Sequence, residues 1–82
     1  MSDLQITIKQ KKIVVESCLR QIYVAIYNAT INLRVAKIAD DEQMKEAAIN
    51  SLKKSEKQKD GYEEILQELE ELEKDIEEEE KK

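Results

Sequence analysis

The side chains of this chain that could do chemistry are carboxylates, lysines, two arginines, three tyrosines and one thiol, Cys18. Its 82 residues include no His, Pro, Trp or Phe, and a single glycine, Gly61. Without His there is no imidazole base, no His metal ligand and no side chain that ordinarily titrates near neutral pH. One Cys allows no internal disulfide and no Cys-cluster zinc site. One glycine cannot build a Gly-rich phosphate loop. Glu63, Glu64 and Glu68, or residues 77–80, could attract a divalent cation, yet the alternating acids of a calcium loop are absent. Such runs are ordinarily solvated helix surface. Cys18 lies beside an apolar stripe and reads as a small buried hydrophobe. The expectation is a protein that is no enzyme and holds no metal or cofactor.

Charge points toward binding instead. The formal net charge is −5, but it is divided unevenly. Residues 1–39 carry six bases against Asp3 and Glu16, a net +4, whereas residues 40–82 carry 17 acids against 8 bases, a net −9. Lys9, Lys11, Lys12 and Arg20 form a basic cluster that could contact nucleic-acid phosphates if a dimer doubled it. Residues 63–82 form an acidic tail that could meet a basic partner as an inhibitor or nucleic-acid mimic. Tyr23 and Tyr27 share a flank with Arg34, and these residue types favour binding hot spots. They are the candidate site for a protein partner.

Long helices must position these groups. Charged residues make up 40% of the chain and hydrophobic residues another 40%, the composition of a helical or coiled-coil protein. Val15, Leu19, Ile22, Ile26, Ala29, Leu33 and Ala36 alternate spacings of four and three, the seam of a helix packed on a neighbour. The acids at Asp40, Asp41 and Glu42 suit a turn and a helix start, with Asp40 and Gln43 as a capping pair. A second seam runs through Met44, Ala48 and Leu52, then Tyr62, Ile65, Leu69, Leu72 and Ile76. One frame joins these stretches through Ser51, Ser55 and Gln58, which makes its middle polar. The expected fold is all-α, a single domain shaped as an antiparallel helical hairpin. Helix 1 covers about 3–38 or 11–38, the turn about 39–41, and helix 2 about 41–79, with a kink at 60–61 if Gly61 interrupts it. Residue i then meets roughly residue 79 − i, which puts the lysines at 9–12 across from the acids at 68–71.

One helix cannot cover all that the first helix offers. Val24, Tyr27, Ile31, Val35 and Ile38 lie opposite the main seam. A helix that is apolar on two sides is buried on two sides. The remaining cover must come from another molecule, most simply a second copy, giving a homodimeric four-helix bundle or a higher oligomer. The expected interface comprises Ile22, Val24, Ile26, Tyr27, Ile31, Val35 and Ile38.

The first dozen residues admit two readings. Ser2 and Gln5 could cap a helix from Asp3, or Leu4–Ile8 could form a strand, since apolar residues there alternate with period two. Leu4-Gln5-Ile6-Thr7-Ile8-Lys9 resembles the strand of ribbon-helix-helix repressors, which would set Gln5, Thr7 and Lys9 to read bases. Ala39-Asp40-Asp41-Glu42-Gln43 is similar to the turn of the Rop family of plasmid proteins, dimeric hairpins that bind RNA loops. The Phe of that family's RNA-binding face has no counterpart here. Neither likeness exceeds six residues. No apolar run approaches the roughly 18–20 residues of a membrane span, and the start lacks the pattern of a signal peptide. The expectation is a cytoplasmic protein without a membrane partner.

Overall fold

A computed structural model describes residues 2–80. Two helices account for nearly all of them: α1, Asp3–Ala39, and α2, Glu42–Glu80. They fold back on each other as a hairpin of 63 × 14 × 12 Å. The radius of gyration is 18.5 Å, against about 12 Å for a compact domain of this length. The fold is therefore a rod, with its core confined to one line of contact between two helices.

The N-terminus is helical, which overturns the strand reading of residues 4–8. Ser2 accepts the Gln5 backbone N–H at 3.2 Å, and the Gln5 side chain accepts the Ser2 backbone N–H at 3.1 Å. This reciprocal box satisfies two of the amides that a helix start leaves open. A strand here would have no partner for its own backbone groups. In the helix, Gln5 and Ile8 instead extend the α1 seam by two positions, and both are buried. The ribbon-helix-helix likeness loses its structural basis with the strand.

Two residues make the turn. Asp40 adopts the left-handed conformation (φ 53°, ψ 41°), which short polar side chains tolerate better than bulky ones. Its N–H donates to Lys37 O, and the Asp41 N–H donates to Ala36 O at 3.0 Å. These are the two bonds of a Schellman ending. Asp41 then caps α2, its Oδ1 accepting the Met44 N–H at 3.1 Å. The capping pair is thus Asp41 with Met44, and Asp40 closes α1 instead of opening α2. Lys45 adds ion pairs to Glu42 at 2.9 Å and to Asp40 at 3.5 Å. The Glu42 carboxylate bonded to Lys45 raises the ammonium pKa above its ordinary 10.5, against a smaller opposing effect of burial.

The α1 seam holds every residue of the expected heptad, from Val15 to Ala36, all buried or half-buried. The α2 seam differs from expectation in one of its two lines. Ala48, Ser55, Tyr62, Leu69 and Ile76 face α1, as expected. Met44 and Leu52 are half-buried as expected, but beyond them the alternate line runs through Lys59, Leu66 and Glu73, where Gln58, Ile65 and Leu72 were expected. Ser51, Gln58, Ile65 and Leu72 are exposed. The reason sits on α1. Lys12 occupies a seam position and pairs with Glu73 at 3.5 Å, both side chains being 22% accessible. Turning α2 to bring Leu72 inward would strip Lys12 of this carboxylate, and a half-buried charge without a partner is strongly destabilising.

That ion pair also corrects the register. Lys12 lies across from Glu73, and Tyr23 donates to Glu63 at 3.0 Å. Both partners lie further from the turn than 79 − i allows. Side chains tilt toward the N-terminus of their own helix. In an antiparallel pair this carries α1 side chains away from the turn and α2 side chains toward it, so each α1 residue meets a later α2 residue.

The bulk of the core lies at the open end, where Ile8, Val15, Leu19 and Leu69 pack with Tyr62, Leu66 and Ile76. Toward the turn the seam narrows to Ala29, Ala36 and Ala48, with Ala36 fully buried. α2 is continuous through Gly61, without the break that residues 60–61 allowed. A Cβ built on Gly61 would meet nothing within 4 Å. Gly61→Ala is therefore expected to stabilise the hairpin by about 1 kcal/mol, the helix-propensity difference alone. Chemical denaturation should show a higher midpoint with an unchanged slope.

Candidate functional site

The surface is built by the same heptad that builds the core. Positions facing away from α2 on α1 include Val24, Ile31 and Ile38, spaced by seven, with Tyr27 and Val35 beside them. All five are exposed: Tyr27 is 63% accessible, Ile31 58% and Ile38 88%. Ile6, Ile13 and Val14 extend the exposed apolar surface toward the N-terminus. The matching positions on α2 are different in kind. Glu46, Lys53, Asp60, Gln67 and Lys74 form one outward line, and Asn50, Lys57, Glu64, Glu71 and Glu78 the next. One helix thus presents an apolar back and the other a charged one. Scattered apolar residues on a surface are ordinary, whereas a continuous stripe marks a contact.

Of the seven residues expected to carry assembly, Val24, Tyr27, Ile31, Val35 and Ile38 lie on this outward face. Ile22 is buried and Ile26 half-buried against α2. Those two contribute to the seam between the helices. Arg20, Tyr27 and Arg34 follow one another at seven-residue spacing along the edge of the face. Tyr23 lies nearer α2. The Glu63 carboxylate that accepts its hydroxyl hydrogen raises the phenol pKa above its ordinary 10.0, with smaller contributions from burial, the Glu63 charge and Tyr27. Tyr23 is therefore tied to α2, and Tyr27 and Arg34 are the members of that trio on the outward face.

The basic cluster does not form one surface. Lys12 is in the seam with Glu73, and Arg20 is on the outward face. Lys11 lines a groove on one flank of the hairpin, and Lys9 lies on the opposite flank. Lys9 and Arg20, eleven residues apart, lie on neighbouring lines of α1, whereas Lys11 is on the other flank and Lys12 is tied to Glu73, so the four do not act as one cluster.

The groove was not expected from the sequence. It has a volume of about 440 Å³ and lies between the helices near the open end, with Thr7, Lys11, Val14 and Val15 on one wall and Ile65 and Leu69 on the other. Leu4 and Leu72 line its continuation. Ile65 lines it and Leu72 lines its continuation because the α2 line that faces α1 is the one through Leu52, Leu66 and Glu73. The signal in the sequence was the excess of apolar residues at 62–76 over what one seam can take.

Among the described residues, no group of three His, Cys, Asp or Glu side chains is placed to hold a metal ion. No helix is long and apolar enough to cross a membrane. Cys18 is a free thiol of intermediate burial. The chain matches no family model, no curated protein and no solved structure.

Proposed function

We propose that the protein is a non-enzymatic interaction module, a helical hairpin that self-assembles and recognises partners through the outward face of α1. One observation carries this reading: five exposed apolar side chains, Val24, Tyr27, Ile31, Val35 and Ile38, fill the back of α1, while the back of α2 is polar throughout. A solvated helix needs no such stripe, and α2 shows what a solvated helix in this chain looks like. Helix-face recognition of this kind uses anchors at i, i+3, i+4 and i+7, and residues 24, 27, 31, 35 and 38 supply nearly that spacing. Tyr27 and Arg34 at the edge add the residue types that dominate binding energy. The test is the molar mass of the full chain by light scattering at micromolar concentration. A mass above one chain is expected. A helical protein with the mass of one chain would remove self-assembly from the reading.

The alternative of a nucleic-acid regulator is weakened because Lys12 is tied to Glu73 and Lys11 lies on the flank opposite Lys9, so the cluster is not a single basic surface. A gel shift at low salt, where phosphate contacts are strongest, is expected to show no complex.

A further inference from the structure

The outward face of α1 has a direction built into it. Its central line reads Gln10, Ser17, Val24, Ile31, Ile38, polar in the N-terminal half and apolar from residue 24 to residue 38, while the exposed Ile6, Ile13 and Val14 flank the polar half on the border lines. Ile31 is the midpoint of the apolar half. From Arg20 to the turn there is no acid on α1 at all, but Arg20 and Arg34 border the face. Any occupant must therefore be apolar along its centre and must meet two arginines at the border. We propose that the occupant is a second copy of this chain, its α1 laid antiparallel on the first about a two-fold axis at Ile31. This rests on the reading of α1 as an assembly face and adds its geometry.

Charge selects that arrangement from the others. With the axis at Ile31, Val24 meets Ile38 of the second copy, and Ile31 meets its own equivalent. Tyr27 and Arg34 lie four before and three after the axis, on the same border line. Each Arg34 then lies beside Tyr27 of the second copy, an arrangement that allows a cation–π contact. Arg20 lies eleven residues before the axis and Asp41 ten after it. Each Arg20 therefore reaches the turn of the second copy. Asp40 there is 88% accessible, and Asp41 is exposed. Moving the axis to Tyr27 would set Arg20 against Arg34 of the second copy. A parallel pair would leave each Arg20 far from the turn of the second copy and bring both acidic ends of α2 to the same end of the dimer. The antiparallel pair sends those ends in opposite directions.

The geometry is tested by disulfide trapping in a Cys18→Ser background, with mass measured in parallel. Facing cysteines on a helix pair come within the Cα separation of about 4.4–6.8 Å that a disulfide needs only when they share a level. Ile31→Cys is expected to form a covalent dimer under mild oxidation. Val24→Cys alone is expected to form little, and Val24→Cys mixed with Ile38→Cys to form a covalent heterodimer readily. These sites are exposed in the hairpin, so circular dichroism should show an unchanged fold. Arg20→Glu is expected to raise the dimer dissociation constant roughly tenfold, because symmetry applies each lost surface pair twice. A dimer in which Val24→Cys traps itself as well as Ile31→Cys does would overturn the antiparallel register and leave the assembly reading standing. A wild-type mass of one chain would overturn both.

Discussion

Leu19→Ala is expected to destabilise the hairpin by about 2–4 kcal/mol, the range for truncating a buried leucine that its surroundings cannot collapse onto. Leu19 packs in the largest cluster of the molecule, with Ile8, Val15 and Leu69. A two-helix rod has no second layer to close the gap. A chain of this size is stable by roughly 4–12 kcal/mol in total, so this one change removes a large fraction. The thermal midpoint followed by circular dichroism should fall by about 10–25 °C at fixed protein concentration. Ile13→Ala is the control, because Ile13 is exposed and outside the seam. It should leave the midpoint nearly unchanged. Equal losses in the two variants would mean that the seam described here is not the one that stabilises the chain.

Ile31→Glu is expected to abolish assembly. In the hairpin alone the carboxylate faces water and disturbs nothing. In the assembled state it is buried without a base across from it, and the two-fold axis buries two at once. Burying an unpaired charge costs several kcal/mol, so the dissociation constant should rise by roughly a thousandfold or more. Light scattering would then give the mass of one chain where the wild type gives more. A variant that is both monomeric and unfolded would show that the hairpin depends on its second copy, as obligate assemblies do. A variant with the wild-type mass and helicity would show that the outward face of α1 is not the contact.

How much of this was legible beforehand depended on the helix. In α1 the inner seam runs from Val15 to Ala36 with only apolar residues, so its phase was unambiguous, and the second apolar face followed by angle. In α2 the choice lay between two adjacent lines. The one through Met44, Ile65 and Leu72 looks slightly more apolar than the one through Lys45, Leu52, Lys59, Leu66 and Glu73, yet beyond the first turns of α2 the latter faces α1. Periodicity ranks lines by hydrophobicity, whereas packing ranks them by what stands opposite. Lys12 stands opposite, and only a carboxylate at 73 answers it. Long lysine stems can also cover apolar neighbours while the ammonium stays wet, which makes Lys59 admissible beside Ile22 and Ile26. The same misphasing hid the groove, because Ile65 and Leu72 had been assigned to the seam. The strand reading of residues 4–8 failed for a related reason. Five residues hold too little of either period to decide. Leu4, Ile6 and Ile8 fit one face of a strand, but in the helix only Ile8 is buried while Leu4 and Ile6 are exposed, and the reciprocal bonds of Ser2 and Gln5 favour the helix.

The distribution of bulk along the seam also governs how the rod responds to load. The two described termini, Ser2 and Glu80, lie side by side at the open end, and the turn is at the far end. Tension applied across them would meet Ile8, Leu69 and Ile76 first and the small side chains Ala29, Ala36 and Ala48 last. The greatest resistance would come at the onset of extension, where the largest buried cluster lies, with Ile22, Ile26, Leu33 and Leu52 adding further resistance toward the turn. Tension carried between the turn and the open end would instead run along both helix axes, where the backbone hydrogen bonds within each helix carry it and the seam is not sheared. The hairpin is thus a strut along its length and a latch across its ends.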